Sequence, residues 1–387
     1  MKTINVRHLG LVLALLALAS CTSGPRPSAT RNTQTQPAAP EPATRRLTLQ
    51  IPASDARFRY EGRFDLTDSN APVVIWQASR ISIDFKGDAF GLQFDDAKGQ
   101  CFFNVTVDGS NTVVEIREGK PAQPATLAGF GSGRHHLVIF KRSEADAGTA
   151  RFHGITLAAG ETAWAPPPPD YRVRMEFFGD SITVGACNED GPVDQWDDRR
   201  THNAAFSYAA LTAAAFSADY RNIAVSGMGI STGYVSKTTG EVWDKIYPNP
   251  ASPRADLRQW TPQVVFVNYG ENDDSYPKVH GQPFPTGYTD GYIAFVHDLR
   301  AAYPAAHVVL LRGGMFGGAK SEPLRQAWES AVTRLEAADP DISHFVFTHW
   351  TGNHPRVADD RAMADELIAW LKQQPFMQAY LGGAANK

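Results

Sequence analysis

From residue 171 onward, short hydrophobic runs alternate with longer segments in which hydrophobic residues recur at helical spacing. The runs that predict strands are residues 173–178, 220–225, 264–269, 307–311 and 345–348. Helices are predicted near residues 204–217, 288–303, 322–338 and 357–373. Strands and helices in alternation indicate a parallel sheet that is covered by helices on both faces. Residues 171–380 are therefore predicted to form an α/β/α domain, here called the α/β domain.

Residues 46–165 show a different pattern, in which short runs rich in Phe, Val and Ile are separated by Gly, Asp, Asn and Ser. Hydrophobic and polar positions alternate at residues 81–85 and 103–107, and Asp108 and Gly109 then form a hairpin-turn signal. Many short strands without a helical stretch favour a β-sandwich or jelly roll. We expect an all-β domain, here called the β domain, with a structural or glycan-contacting role. Four consecutive prolines then predict a stiff hinge between the domains.

Residues 1–20 are predicted to form a targeting segment. Residues 1–20 contain an apolar run at residues 9–18, which is too short to span a bilayer as a mature helix. The small residues that end in Cys21 resemble a bacterial lipobox, which implies that Cys21 becomes the lipidated first residue of the mature protein. Residues 21–45 are predicted to be a disordered tether. We expect a protein anchored by lipid in the bacterial cell envelope, at the outer membrane or in the periplasm; the alternative is secretion with a chance cysteine.

Composition excludes some classes of partner. A net charge of -4 with 20% charged residues predicts that the protein does not bind nucleic acid. Cys101 and Cys187 are the cysteines other than Cys21, and they either form a disulfide or, as we prefer, remain buried free thiols. The histidines, His202 and His280 among them, show no metal-ligand spacing, so neither a metal nor a cofactor is expected.

Ser181 lies where the first predicted strand of the α/β domain ends. Gly179 and Asp180 break the hydrophobic run, and the chain turns towards a helix. A serine at this point exposes its hydroxyl beside a helix N-terminus, whose N–H groups stabilise a developing oxyanion. The alternative interpretation is an Asp-Ser turn with N-capping residues.

Polar groups with complementary chemistry follow three other predicted strands. They are the backbone N–H of Gly227, the side-chain amide of Asn272 and the imidazole of His354. Acyl transfer through serine needs a nucleophile, a base and oxyanion donors. We therefore predict Ser181 as nucleophile, His354 as base, and Ser181, Gly227 and Asn272 as the oxyanion hole. Taken singly, each residue could instead serve a turn, a cap or an exposed loop.

Together the four segments resemble the SGNH hydrolases over about residues 171–373, most specifically at Gly179-Asp180-Ser181 and at residues 270–273. A preceding β domain with an aromatic-Glu-Gly-Arg-Phe opening at residues 60–64 looks like carbohydrate esterase family 2. This resemblance implies a flavodoxin-like parallel sheet preceded by a jelly roll. It also implies an acetyl xylan esterase-like enzyme that removes acetyl groups from polysaccharides such as xylan and mannan.

One position departs from the SGNH pattern. These enzymes usually carry aspartate three residues before the histidine, where this chain has Thr351. Some members of carbohydrate esterase family 2 use a Ser-His dyad, in which a backbone carbonyl replaces the aspartate, and we expect a dyad here. Asp359 and Asp360 are alternative acids, although charges in the first turn of a helix explain them too. His349 is the rival to His354 as base.

The expected partner is an acetylated polysaccharide or oligosaccharide. We predict substrate binding by Trp350, Trp243 and Asp180; the further aromatic candidates in or near these loops are Trp196, Tyr234 and Tyr247. Two other functions stay open. One is an SGNH esterase for other acyl esters, such as peptidoglycan O-acetyl groups or lipids, and the other is a non-catalytic glycan-binding lipoprotein.

Overall fold

The computed structural model describes residues 46–120 and 122–381. The predicted signal peptide, the tether and Cys21 lie outside the described residues. Within them, no helix combines the length and apolar character that crossing a membrane requires.

The β domain is an antiparallel structure in which one long strand joins two groups of strands. Its strands are β1 (Leu47–Pro52), β2 (Arg59–Glu61), β3 (Phe64–Asp65), β4 (Val73–Val74), β5 (Arg80–Lys86), β6 (Ala89–Val107), β7 (Ser110–Arg117), β8 (Thr126–Ala128), β9 (Arg134–Lys141), β10 (Gly148–Ala158) and β11 (Ala163–Trp164). The first part of β6 pairs with β8 and β10, and the last part pairs with β7 and β9. Aromatic side chains such as Phe90, Phe103 and Phe152 fill the core between the strands. The all-β prediction is confirmed.

The predicted hairpin turn follows β6. Asp108 and Gly109 have φ values of 48° and 88°, and they connect the paired residues Val107 and Ser110. Two successive positive φ values are what a two-residue type I′ turn requires, and Asp-Gly is a favoured sequence for it. The Asp-Gly sequence therefore predicts this turn because both residues tolerate the positive φ values that the turn requires.

The α/β domain contains a five-stranded parallel sheet. Its strands are β12 (Val173–Gly179), β13 (Ala218–Ala224), β14 (Val264–Asn268), β15 (His307–Met315) and β16 (Ile342–Thr351). Its helices are α1 (Ser181–Val184), α2 (Tyr208–Ala215), α3 (Thr239–Val242), α4 (Glu271–Val279), α5 (Tyr288–Ala302), α6 (Phe316–Lys320), α7 (Glu322–Ala338), α8 (Val357–Leu371) and α9 (Gln378–Leu381). The strand order β13-β12-β14-β15-β16 is flavodoxin-like, and connections diverge to either side of β12. The predicted fold class is confirmed.

Neighbouring residues of β12 enter different cores, because successive side chains of a strand point to opposite faces. Phe177 packs against Tyr208 of α2 in a buried cluster that includes Leu367 of α8, whereas Phe178 packs against Phe295 of α5 in a second cluster that includes Trp328 of α7. Helices therefore cover both faces of the sheet. The carboxyl end of β12, where Ser181 follows, remains open at the point where the connections diverge.

The two domains share buried contacts. Arg63 of the β domain makes a buried ion pair with Glu176 of β12, at 3.2 Å, and donates to the Trp243 carbonyl. Gln77 donates to Asn222 Oδ1 and to the Ala224 carbonyl at 3.0 and 2.9 Å. The expected hinge therefore connects two domains that are packed against each other.

Candidate active site

Ser181 begins the short helix α1 directly after β12. The carboxylate of Asp180 caps this helix by accepting a hydrogen bond from the Ile182 N–H at 3.0 Å. Gly179 is required by close packing, because a Cβ at this position would lie 2.1 Å from Thr183 Oγ1 and 3.0 Å from the Asn268 carbonyl oxygen. The Gly-Asp-Ser sequence therefore combines a tight turn, a helix cap and an accessible hydroxyl.

His354 lies between Ser181 and a carboxylate. Its Nε2 is 2.8 Å from Ser181 Oγ, and its Nδ1 is 2.7 Å from Asp194 Oδ2. The same Asp194 oxygen accepts the backbone N–H of His354 at 3.2 Å. These partners assign the proton of the neutral imidazole to Nδ1 and leave Nε2 as an acceptor for the serine proton. The arrangement has the geometry of a Ser-His-Asp triad.

The expectation of a Ser-His dyad is wrong, because the carboxylate of Asp194 contacts His354. Asp194 comes from the loop between α1 and α2, whereas the usual aspartate would lie at the end of β16, where this chain has Thr351. The Thr351 hydroxyl donates to the Asn353 carbonyl and does not contact the imidazole. A carboxylate, and not a backbone carbonyl, therefore accepts the His354 proton.

The other candidate acids and the rival base have different partners. Asp359 hydrogen-bonds to His349 at 2.9 Å and accepts the backbone N–H of Arg356. Asp360 is buried and accepts the backbone N–H of Tyr208 at 2.9 Å. The structure therefore pairs His349 with Asp359, and it brings His354 to Ser181.

The environment of Asp194 keeps its carboxylate ionised. Partial burial alone would raise the pKa of Asp194, but the hydrogen bonds from His354 and the ion pair with Arg356 outweigh it and hold the pKa well below its usual range. Trp196 packs edge-on against the imidazole, with ring centres 5.0 Å apart. His354 is thus held by a charged acceptor and by an aromatic neighbour.

Cys187, Asp194 and His354 each place one ligand atom within 4.8 Å of the others, close enough to hold a metal ion. The last two already hydrogen-bond to each other, and burial raises the pKa of the Cys187 thiol. A metal would have to replace the contact that orients His354. Cys101 and Cys187 are both buried and free, as preferred from the sequence.

Two backbone amides are available for an oxyanion. The N–H groups of Ser181 and Gly227 have no hydrogen-bond acceptor among the described residues. Gly227 has a φ of 77°, a conformation that favours glycine, and it lines the same cleft as Ser181. The structure therefore brings both predicted backbone donors to the site.

Asn272 is the third predicted donor. Its side-chain nitrogen donates to the Met228 carbonyl at 3.0 Å and to Asp180 Oδ2 at 3.2 Å. Because an amide nitrogen carries two hydrogens, a bound oxyanion would compete with one of these contacts, and the contact with Asp180 is the longer. Asn272 also lines the cleft, so its amide is placed to exchange the contact with Asp180 for a hydrogen bond to a bound oxyanion.

Two of the substrate-binding predictions are wrong. Asp180 is fully buried beneath Ser181, where it caps α1 and holds Asn272, and burial raises its pKa well above the usual value. Trp243 is 7% exposed and packs against Phe178 and Phe295, since it follows α3 on the side that faces the core. Trp350 is 36% exposed beside Phe316, a residue of the cleft wall. Its role in binding stays a prediction.

Both domains form the cleft, which has a volume of about 720 Å³. Its lining residues include Ser181, Trp196, Arg199, Ser226, Gly227, Tyr234, Glu271, Asn272, Lys278, Phe316 and His354 from the α/β domain, and Glu144 and Asp146 from the β domain. A cleft of this volume is typical of sites for small molecules or for segments of a polymer. The predicted strand-end residues therefore meet in one cavity.

Glu144 is a site residue that the sequence patterns did not reveal. It is 2% exposed, accepts the Ser226 N–H at 3.2 Å and contacts Arg199 and His202 at 3.3 and 3.4 Å. Burial alone would raise the pKa of Glu144, but contacts with His202 and the charge of Arg199 lower it to about 2. A carboxylate from the β domain thus holds the residue before Gly227.

Neither Asp194 nor Glu144 lies in a periodic segment, which explains why sequence patterns missed both. Asp194 lies in an irregular loop that also contains Asp190, Asp197 and Asp198, and 160 residues separate it from His354. The one sequence signal for Asp194 is that its loop directly follows α1, the helix that begins with Ser181. Glu144 lies in a turn between two β-domain strands.

Both domains match known family models. Residues 60–167 match the model described as carbohydrate esterase 2 N-terminal, and residues 177–373 match the GDSL-like lipase/acylhydrolase family. The chain therefore belongs to the GDSL-like lipase/acylhydrolase family and, with its N-terminal domain, to carbohydrate esterase family 2.

Individual relatives are similar over most of this chain. Cellulase/esterase CelE of Acetivibrio thermocellus is 30% identical over 325 residues, which are 81% of this chain and 39% of that protein. An acetylxylan esterase/glucomannan deacetylase of Cellvibrio japonicus is 28% identical, over 79% of this chain and 88% of that protein. The chain thus spans less than half of the first relative and most of the second.

A solved structure has the same fold over most of its length. It is that of a family two carbohydrate esterase from Clostridium thermocellum in complex with cellohexaose. The TM-score is 0.73 with 28% sequence identity, and the alignment covers 81% of this chain and 98% of that chain.

Proposed function

We propose that the protein is a serine esterase that removes O-acetyl groups from acetylated polysaccharide, of the xylan or mannan type, or from the derived oligosaccharides. The observation that carries this proposal is the contact of His354 with Ser181 on one side and with Asp194 on the other, at 2.8 and 2.7 Å. The names of the relatives, acetylxylan esterase and glucomannan deacetylase, support the substrate class.

The proposed reaction begins with attack by Ser181 Oγ on the acetyl carbonyl carbon while His354 Nε2 takes the serine proton. The N–H groups of Ser181 and Gly227 and the amide of Asn272 stabilise the resulting oxyanion. The bond between the carbonyl carbon and the sugar oxygen then breaks, and His354 gives its proton to that oxygen. An acetylated Ser181 remains.

Water completes the cycle. His354 removes a proton from a water molecule, whose oxygen attacks the acetyl-serine carbonyl. Collapse of the second tetrahedral intermediate releases acetate, and the proton returns from His354 to Ser181 Oγ. Asp194 stays ionised throughout, because its low pKa disfavours protonation, and it stabilises the imidazolium that forms in each half.

Acetate release from a panel of acetylated xylan, acetylated glucomannan and O-acetylated peptidoglycan tests the proposal. We expect hydrolysis of the plant-type polysaccharides by the purified chain, and none by Ser181→Ala of equal thermal stability. Release from peptidoglycan alone would replace the proposed substrate. Near-normal turnover by folded Ser181→Ala would overturn the mechanism, and glycan binding without hydrolysis would indicate a non-catalytic protein.

The proposed location is the bacterial cell envelope, through a lipid on Cys21. The support is the run of small residues that ends in this cysteine and the Pro-, Ser- and Thr-rich segment after it. An enzyme held in this way would act on polysaccharide fragments outside the cytoplasmic membrane.

A further inference from the structure

Two lysines and two aromatic residues form a row beside the active-site cleft. Lys278 Nζ lies 4.8 Å from the Phe316 ring centre, the Phe316 and Trp350 ring centres are 6.1 Å apart, and Lys320 Nζ lies 4.9 Å from the Trp350 ring centre. Lys278 and Phe316 line the same cleft as Ser181. This row is here called the lysine–aromatic rim.

The two ammonium groups of the rim form no ion pair with the described residues. Among the carboxylates that line the cleft, Glu144 pairs with Arg199 and contacts His202, and Asp146 pairs with Lys237. Glu271 and Asp274 accept hydrogen bonds from neutral groups, the N–H groups of Gly317 and Gly318 and the hydroxyl of Ser321, and contact neither rim lysine. Arg199 on another part of the wall also lies over an aromatic ring, but Glu144 neutralises its charge.

The rings of the rim are available to a ligand. Phe316 and Trp350 are 44% and 36% exposed. Single exposed hydrophobic residues are ordinary, but two adjacent rings at a cleft concentrate apolar surface where a ligand enters. A cation–π contact at an exposed site is weak. Each ammonium group can therefore leave its ring for a carboxylate while a sugar packs against the ring.

We infer that the lysine–aromatic rim binds uronate residues of the acetylated polysaccharide, so that the enzyme prefers acidic glycans to neutral ones. This inference rests on the proposed function and names a substrate class within it. Local charge complementarity carries it: no carboxylate of the described residues contacts either rim lysine, and a uronate supplies both a sugar face for the rings and a carboxylate for an ammonium group.

The test compares kcat/KM for acetate release from acetylated xylo-oligosaccharides with and without a glucuronate substituent, matched in length and acetyl content. At low ionic strength we expect the acidic substrate to be preferred about three- to tenfold, the range for two exposed ion pairs. Salt at about 0.5 M should reduce the preference, because it screens exposed charges. The ratio of the two rates does not depend on the fraction of folded enzyme.

Four double variants isolate the charge. The preference should fall to about one in Lys278→Ala/Lys320→Ala, persist in Lys278→Arg/Lys320→Arg and reverse in Lys278→Glu/Lys320→Glu. Lys86→Ala/Lys372→Ala, two exposed lysines that do not line the cleft, is the matched control and should behave as wild type. Equal use of both substrates by wild type, or an unchanged preference in the double alanine variant, would overturn the inference.

Failure of the proposed function gives a different result. In that case neither acetylated substrate is hydrolysed, and calorimetric titration with the unacetylated acidic and neutral oligosaccharides still tests the rim. Tighter binding of the acidic oligosaccharide, lost in Lys278→Ala/Lys320→Ala, supports the inference, whereas equal binding contradicts it.

Discussion

Asp194 reaches His354 from a loop that is distant in sequence, and its carboxylate does two things for the imidazole. It accepts the Nδ1 proton, which fixes the tautomer, and it also accepts the His354 backbone N–H, which fixes the loop. Arg356 in turn pairs with the second carboxylate oxygen at 2.8 Å. A carboxylate held by three contacts orients the base more firmly than a single carbonyl would.

Asp194→Asn should therefore lower kcat on an acetyl ester by about 10³- to 10⁴-fold with a small change in KM, since an amide favours the wrong tautomer and adds no charge. Steady-state kinetics checks this. Asp359→Asn is the matched control, because Asp359 contacts His349, and it should keep near-normal kcat. If Asp194→Asn retained more than about a tenth of the wild-type kcat, a dyad would be sufficient.

Asn272 differs from the two backbone donors, because it must exchange a contact to reach an oxyanion. Asn272→Ala should lower kcat by about 10²- to 10³-fold and leave KM nearly unchanged, because the lost interaction forms in the transition state. Kinetics on a small acetyl ester and on acetylated oligosaccharide separate the two parameters. A change confined to KM would instead place Asn272 in ground-state binding, and a lower melting temperature would assign it to support of Asp180.

The residues of the site differ in how directly the sequence encodes their position. Ser181, Gly227, Asn272 and His354 were predicted because each follows a hydrophobic strand, and parallel strands bring their carboxyl ends to one edge of a sheet. Asp194 follows no strand, and its partner is fixed by the path of an irregular loop. Hydrophobic periodicity does not encode the path of such a loop, so the contact between Asp194 and His354 is visible only in the tertiary structure.

At the scale of elements, the turn between β9 and β10 holds part of the site. Glu144 in this turn accepts the Ser226 N–H, and Ser226 immediately precedes Gly227. The carboxylate also contacts the buried side chain of His202 and pairs with the guanidinium of Arg199. The position of the Gly227 amide thus depends on a strand connection of the other domain.

Glu144→Gln should reduce the free energy of unfolding by roughly 3 kcal/mol at neutral pH, because it removes one partner of a buried charge cluster. The depressed pKa of about 2 fixes the pH window. A lowered pKa contributes stability above the unfolded value of about 4.5, and this contribution is lost as the pH falls from there towards 2.

Denaturant unfolding between pH 7 and pH 3 measures the effect, with Glu118→Gln as the exposed control. The difference between wild type and Glu144→Gln should shrink as the pH falls. A difference that stays constant with pH would mean that shape, and not charge, explains the contribution of Glu144.

The boundaries of elements were less predictable than their types. Strand β16 was predicted to end at residue 348 but continues to Thr351, because its pairing with β15 resumes after an irregularity at Gly313, where Gly314 pairs with Trp350. Helix α2 is shorter than predicted, since Ser207 caps it and a 3-10 turn at Ala204–Phe206 precedes it. Both differences come from local backbone geometry that hydrophobic periodicity does not record.

At the scale of the whole molecule, the N-terminal prediction concerns residues outside those the structure describes. If Cys21 carries the lipid, Cys21→Ser should move the protein from the membrane fraction to the soluble fraction, or block its processing, because no helix among residues 46–120 and 122–381 is long and apolar enough to span a membrane. Fractionation followed by immunoblotting checks this, with Ser23→Ala as the control. Unaltered fractionation would favour an ordinary secretory signal.

The contribution of Glu144 and Asp146 to the cleft has a consequence for evolution and engineering. The hydrolytic residues and part of the surrounding wall belong to different domains, so the two can vary separately within one gene. Changes in the turn between β9 and β10 can reshape the space available to an incoming sugar without altering the chemistry. Exchanging the β domain between relatives is therefore a route to new specificities, provided that the carboxylate at position 144 is kept.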